Sequence, residues 1–197
     1  SESQGKVLAA MDALKRQPEI ATQLETWDAD PWIIGLQNGV FDLRNEKVLP
    51  PDPARLVSMS LGPTYDAKAK CPRSERFLFE IMGEDEQLTM FLQSAIGYTL
   101  TGLTKEQCFF LCYGVGANGK GTLFHLLDQL LGDYSMASDM ETFSDVKYRS
   151  QVRNDLARLV GRRFVSASES AAYRKLDEEV VKRLTGGNDK VTARFLH

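Results

Sequence analysis

QCFFLCYGVGANGKGT, residues 107–122, decides how the rest of the chain is read. Its first seven residues form an apolar run with no charged interruption, which predicts a strand buried on both faces of a parallel sheet. Gly114-Val115-Gly116-Ala117-Asn118-Gly119-Lys120 then fits the first seven positions of a phosphate-binding loop, G-x-x-x-x-G-K. Glycines let such a loop curl into a nest of N–H groups that faces phosphate oxygens. The following helix adds the positive end of its dipole, and Lys120 adds a mobile charge for the β- and γ-phosphates. The eighth position, where a Ser or Thr hydroxyl would hold Mg²⁺, is Gly121. Thr122 comes one residue later, and either its hydroxyl or a bridging water takes that place. After the loop, Leu123, Leu126, Leu127, Leu130 and Leu131 recur at 3–4 spacing up to Gly132, which predicts an amphipathic helix with a glycine C-cap. Strand, loop and helix together begin a βαβ unit.

Downstream, Asp155–Val160 reads as the end of a helix stopped by Gly161. RRFVSAS (162–168) reads as a second short strand closed by Glu169, 49 residues after Lys120. A carboxylate at the C-terminal end of a parallel strand lies beside the phosphate loop in open α/β sheets. There it can hold metal and activate water, so Glu169 is the candidate acid, with Ser168 in place of a neighbouring Asp. A last helix runs over about 175–184, with Leu176, Val180, Val181 and Leu184 inward, and Gly186-Gly187 breaks it.

Upstream of residue 103 the texture is different. Val7, Leu8, Met11 and Leu14 predict a helix over 5–16 that stops before Pro18. In WIIGLQNGVFDL (32–43), Asn38-Gly39 signals a two-stranded hairpin, and 44–47 forms a second turn. Pro50, Pro51 and Pro53 mark an irregular connection. Two short helices follow, one around Phe77, Leu78 and Ile81, the other around Leu88, Phe91, Leu92, Ala95 and Ile96. The fold class expected is α/β. Residues 1–102 form a mostly helical N-terminal domain with a small antiparallel hairpin, and residues 103–197 an incomplete nucleotide-binding core.

Composition bounds the possibilities. The chain has 197 residues, 43% hydrophobic and 26% charged, which is ordinary globular usage and enough to bury a core without staples. Three Cys and two His are too few for a disulfide framework and suit a reducing compartment. No apolar run approaches the roughly 20 residues of a membrane span, and the polar start, Ser1–Gly5, lacks a signal peptide. Cytoplasmic location, with no membrane partner, is therefore expected. The net charge of −3 hides an asymmetry: residues 1–145 carry net −9 and residues 146–197 net +6. A basic C-terminal quarter is a footprint for a polyanion, with Lys182, Lys190 and Arg194 as candidate contacts to single-stranded DNA against the alternative of a solvated face. Cys71, Cys108, Cys112 and His125 could in principle form a zinc set, but Cys108 and Cys112 sit in the expected buried strand, so core packing is the reading. Trp27 and Trp32 read as local core.

Three stretches, YGVGANGKGT, LVGRRFVSASES and KRLTGGNDKVTARF, resemble in order and spacing the motifs of phage and plasmid primase–helicases of the satellite-phage and poxvirus type. These are members of helicase superfamily three, a branch of the AAA+ ATPases. NGVFDLRNEKVLPPDP, YDAKAKCP and LQSAIGYTLTG are similar to the helicase-associated domain that precedes the ATPase in that family. The resemblance implies an ATP-driven, ring-forming DNA helicase, a homo-hexamer encoded by a mobile element in a bacterial host. Its cofactors would be ATP and Mg²⁺, bound by Gly114, Gly116, Ala117, Asn118, Gly119, Lys120, Gly121 and Thr122. Lys120 is then the loop lysine and Glu169 the metal- and water-directing acid. Residues 182–194 would lead into a DNA-contacting hairpin, although Asn188-Asp189 depart from the acidic residue common directly after the glycines. The family's sensor strand and arginine finger would follow His197, and its primase domain would precede Ser1. Two other classes remain open. One is a nucleoside monophosphate kinase, since G-K-G-T occurs there too, although 113 residues precede Gly114 and no Arg-rich lid follows. The other is a non-catalytic docking module.

Overall fold

A computed structural model of the chain describes residues 2–17, 22–145, 153–168 and 175–186. Helix α1 spans Glu2–Lys15, close to the expected limits, and leaves Val7, Leu8, Met11 and Leu14 exposed. Strands β1 (Ile33–Leu36), β2 (Gly39–Asp42) and β3 (Lys47–Leu49) form an antiparallel sheet in chain order. The hairpin is present with a one-residue correction. Leu36 pairs with Gly39, so the two-residue loop is Gln37-Asn38, not Asn38-Gly39. Gly39 is required for another reason: its φ is +153°, and a Cβ there would fall 2.6 Å from the Leu49 carbonyl oxygen of the third strand. That third strand was not expected. Val48 and Leu49 extend the hairpin through the turn at 43–46.

Helix α2 (Pro72–Ile81) begins on proline, whose missing N–H costs nothing at that position. Helix α3 (Glu86–Leu100) is capped by Asp85, whose carboxylate accepts from the Leu88 N–H. Helix α4 (Lys120–Leu131) carries the leucines at 3–4 spacing. Leu123, Leu127 and Leu131 are buried, while Leu130 is 37% exposed. Gly132 closes α4 at φ +53°, and one 3₁₀ turn (Gly132–Tyr134) reverses the chain into β4 (Ser135–Asp139). The sequence reading missed β4: SMASD lacks both an apolar run and clear alternation. It pairs in parallel with β5 (Phe164–Ser168), Ser135 opposite Phe164 and Asp139 opposite Ser168. The crossover between them holds the short helix α5 (Asn154–Ala157) and ends at Gly161, φ +76°. Helix α6 (Glu178–Thr185) is capped by Asp177. Val180 is buried as expected, but Leu176 is 38% exposed. The chain is thus mixed α/β, with six helices, a three-stranded antiparallel sheet and a two-stranded parallel sheet among the described residues.

One buried cluster joins both halves. Ile34 and Leu36 of β1 pack with Leu123, Leu127 and Leu131 of α4 and with Tyr134. Phe77, Leu78 and Ile81 of α2 and Leu92, Ile96 and Leu100 of α3 border the same cluster. At the seam, Tyr134 is 1% exposed. Its Oη accepts from the Gly35 N–H at 2.9 Å and donates to the Met59 carbonyl at 3.2 Å. The Arg163 guanidinium lies 4.7 Å from the Tyr134 ring centroid and donates to the carbonyls of Leu100 and Ile33, both at 2.6 Å. Burial pulls Arg163 below the ordinary arginine value and pushes the Tyr134 phenol up. The last carbonyls of α4 are used as well, since Leu130 O accepts from the Gly62 N–H at 3.0 Å.

Candidate nucleotide-binding site

The loop before α4 is shaped by unusual backbone. Ala117, not a glycine, sits at φ +59°, and Gly119 at φ +84° forms the N-cap of α4 with no side chain capping it. A left-handed alanine costs energy that surrounding structure must supply, and such residues cluster at ligand-binding turns. An uncapped N-terminus leaves the first-turn N–H groups free for an anion. The Lys120 Nζ donates to Asn118 Oδ1 at 2.9 Å and to the Gly114 carbonyl at 3.2 Å. The ammonium is therefore folded back over the loop that it would share with a phosphate. Asn118, Gly119 and Lys120 are half-buried, whereas Gly114, Gly116, Ala117, Gly121 and Thr122 are open to solvent.

The expected strand leading into this loop is not formed. Residues 107–113 form no strand, and all are exposed, with Leu111 at 76% and Tyr113 at 87%. No backbone hydrogen bond joins 108–118 to any described residue outside the helix cap. The physical reason is plain: β4 and β5 pair with each other, and among the described residues no third strand reaches this segment. Cys108 and Cys112 are accordingly exposed, which corrects the core-packing expectation for both. Among the described residues no His, Cys, Asp or Glu group is arranged to hold a metal ion. Cys71 and His125 are exposed too. Trp32 lies 6.0 Å from the Arg44 guanidinium, and Trp27 is 39% exposed, its indole N–H donating to Thr22.

The chain reverses between α4 and β4, and their lengths are matched. Twelve helical residues rise about 18 Å and five strand residues about 16 Å. The C-terminal ends of the paired β4 and β5 are at Asp139 and Ser168. Glu169 is the next residue after β5 but lies outside the described residues, as do Lys190 and Arg194. Asp139 is a carboxylate at that strand end which the sequence reading did not single out, because β4 itself was not recognised. Lys182 is on α6, exposed and paired with Glu178 at 3.4 Å.

Residues 1–83 match the protein family described as D5 N terminal like. Over 178 residues the chain is 27% identical to a protein of Acanthamoeba polyphaga mimivirus named "Putative helicase L207/L206". The alignment covers 88% of this chain and 18% of that protein, so the chain spans under a fifth of its relative's length. These similarities support a helicase-associated reading at a coarse level. No helix among the described residues is long and apolar enough to cross a membrane.

Proposed function

We propose that residues 114–122 bind the triphosphate of ATP, and that the chain is the associated domain and first part of an ATP-dependent DNA helicase motor. The observation that carries this reading is the loop itself. Ala117 and Gly119 hold left-handed backbone, α4 begins without a side-chain cap, and Lys120 points back over the loop. On ATP binding the γ-phosphate oxygens replace Asn118 Oδ1 and the Gly114 carbonyl as acceptors for Lys120. The free N–H groups of the loop and first turn receive the β-phosphate. Lys120 then stabilises charge on the transferred phosphoryl group, since catalysis of this transfer is positioning plus electrostatic stabilisation. Mg²⁺ would supply charge neutralisation to the triphosphate. Thr122, exposed on the first turn of α4, and Glu169, following β5, are the side chains that would hold it. Glu169 also orients the attacking water. Single-stranded DNA as the track and a homo-hexamer as the working assembly belong to this proposal and rest on the resemblance of the sequence motifs.

Titration of this chain with a fluorescent ATP analogue, alongside Lys120→Ala, tests the reading. Saturable binding that falls at least tenfold in Lys120→Ala, with unchanged circular dichroism, is expected. Equal binding by both proteins would refute the phosphate site.

A further inference from the structure

The phosphate loop does not stand alone on its helix. Gly119, the N-cap of α4, is pressed against α2: a Cβ on it would lie 2.5 Å from Ile81 Cγ2 and 3.4 Å from Phe77 Cε2. Before the loop, the Phe110 ring meets Phe91 of α3 edge-on, with centroids 6.4 Å apart. The far end of α4 is gripped as well. A Cβ on Gly132 would lie 2.7 Å from the Gly62 N, and Asp133 Oδ2 accepts from the Ser60 N–H at 3.0 Å. Residues of the N-terminal half thus hold both ends of α4 and the segment that enters the loop.

We infer that the α2–α3 pair is the floor of the nucleotide site, and that Ile81 is a positioning residue for the phosphate loop. Ile81 meets the loop at Gly119, and its Cγ2 fixes how far Gly119 can sink toward α2. That depth sets the direction of the first-turn N–H groups and of the Lys120 stem. The inference rests on the nucleotide reading above and adds a consequence to it. The N-terminal half is part of the ATP site's framework, so changes at Ile81, where α2 meets Gly119, alter triphosphate affinity.

Three variants at position 81 and one control separate positioning from simple packing. Ile81→Val keeps Cγ2 and loses only the distal methyl. Ile81→Leu keeps the volume, and with it the fold, but moves the branch away from Gly119. Ile81→Ala loses both. Leu78→Ala removes a comparable side chain from the same helix and the same cluster, at a residue that is not among the atoms nearest Gly119. ATP-analogue affinity is measured for each, with urea midpoints as the measure of stability. Ile81→Val should bind like wild type, Ile81→Leu a few-fold weaker, and Ile81→Ala on the order of tenfold weaker, short of the loss that about 1 Å of misplacement can cause. Leu78→Ala should lose stability but keep its affinity. Equal losses of affinity in Ile81→Ala and Leu78→Ala, or no loss in Ile81→Leu and Ile81→Ala, would overturn the inference. Absence of Lys120-dependent binding in the wild-type chain would instead refute the nucleotide reading.

Discussion

Removing one oxygen at the seam, by Tyr134→Phe, should destabilise the whole chain measurably. Phenylalanine keeps the ring, so the packing on Arg163 and the buried cluster stay intact. What is lost is the hydroxyl that accepts from Gly35 N–H at 2.9 Å and donates to Met59 O at 3.2 Å. Gly35 cannot find a substitute easily, because β1 is buried and its N–H faces the missing hydroxyl. An unsatisfied buried donor costs about 1–3 kcal/mol. The Met59 carbonyl is only partly buried and regains some hydration, so its loss is about 0.5–1 kcal/mol. The expected total is about 1.5–4 kcal/mol. For a chain of this size each kcal/mol shifts Tm by about 2–4 °C, which gives a fall of about 3–16 °C. Urea unfolding at 25 °C followed by circular dichroism, with an unchanged m-value, is the assay. A change below about 0.5 kcal/mol would refute the argument that Tyr134 joins β1 to the helix–strand unit through these two bonds.

Glu169→Gln, in a protein long enough to hydrolyse ATP, should keep ATP affinity and lose turnover, because the shape stays while the charge goes. Normal hydrolysis by this variant would remove Glu169 from the site. Charge reversal at Lys190 or Arg194 should weaken single-stranded DNA binding and reduce the salt slope by about 0.7 per lost phosphate contact, as read by anisotropy at several salt concentrations. An unchanged slope would place both on a solvated face. Burial raises the Asp155 carboxyl, but the hydrogen bond and charge of Arg153, 2.9 Å away, outweigh it and hold it below the ordinary value of 3.8. Because the folded value is depressed, this pair's stabilisation is present above 3.8 and is lost as pH falls through the folded value. With the carboxylate partly exposed, it amounts to under about 1 kcal/mol. Asp155→Asn should therefore shrink the difference between urea midpoints at neutral and strongly acid pH, and an unaltered difference would refute the linkage.

Local chemistry made much of this protein legible from sequence. The leucine spacing of α4, its glycine cap and the presence of a tight hairpin in 32–43 each depend on residues a few positions apart, so periodicity and backbone preference suffice to read them, to within one residue at the turn. RRFVSAS was readable as a strand for the same reason. What failed required knowledge of neighbours distant in the chain. QCFFLCY has every local property of a buried strand, yet a strand exists only when another backbone supplies hydrogen bonds, and β4 pairs with β5 instead. SMASD has weak strand character and became β4 because α4 and β5 surround it. The seam of Tyr134, Arg163, Gly35 and Met59 spans up to 130 residues between partners, as from Arg163 to Ile33. The packing of Ile81 on Gly119 joins a helix of the N-terminal half to the glycine-rich loop before α4. Neither has a signature in local spacing, because both arise when separate apolar faces share one core, and only the tertiary fold brings those faces together.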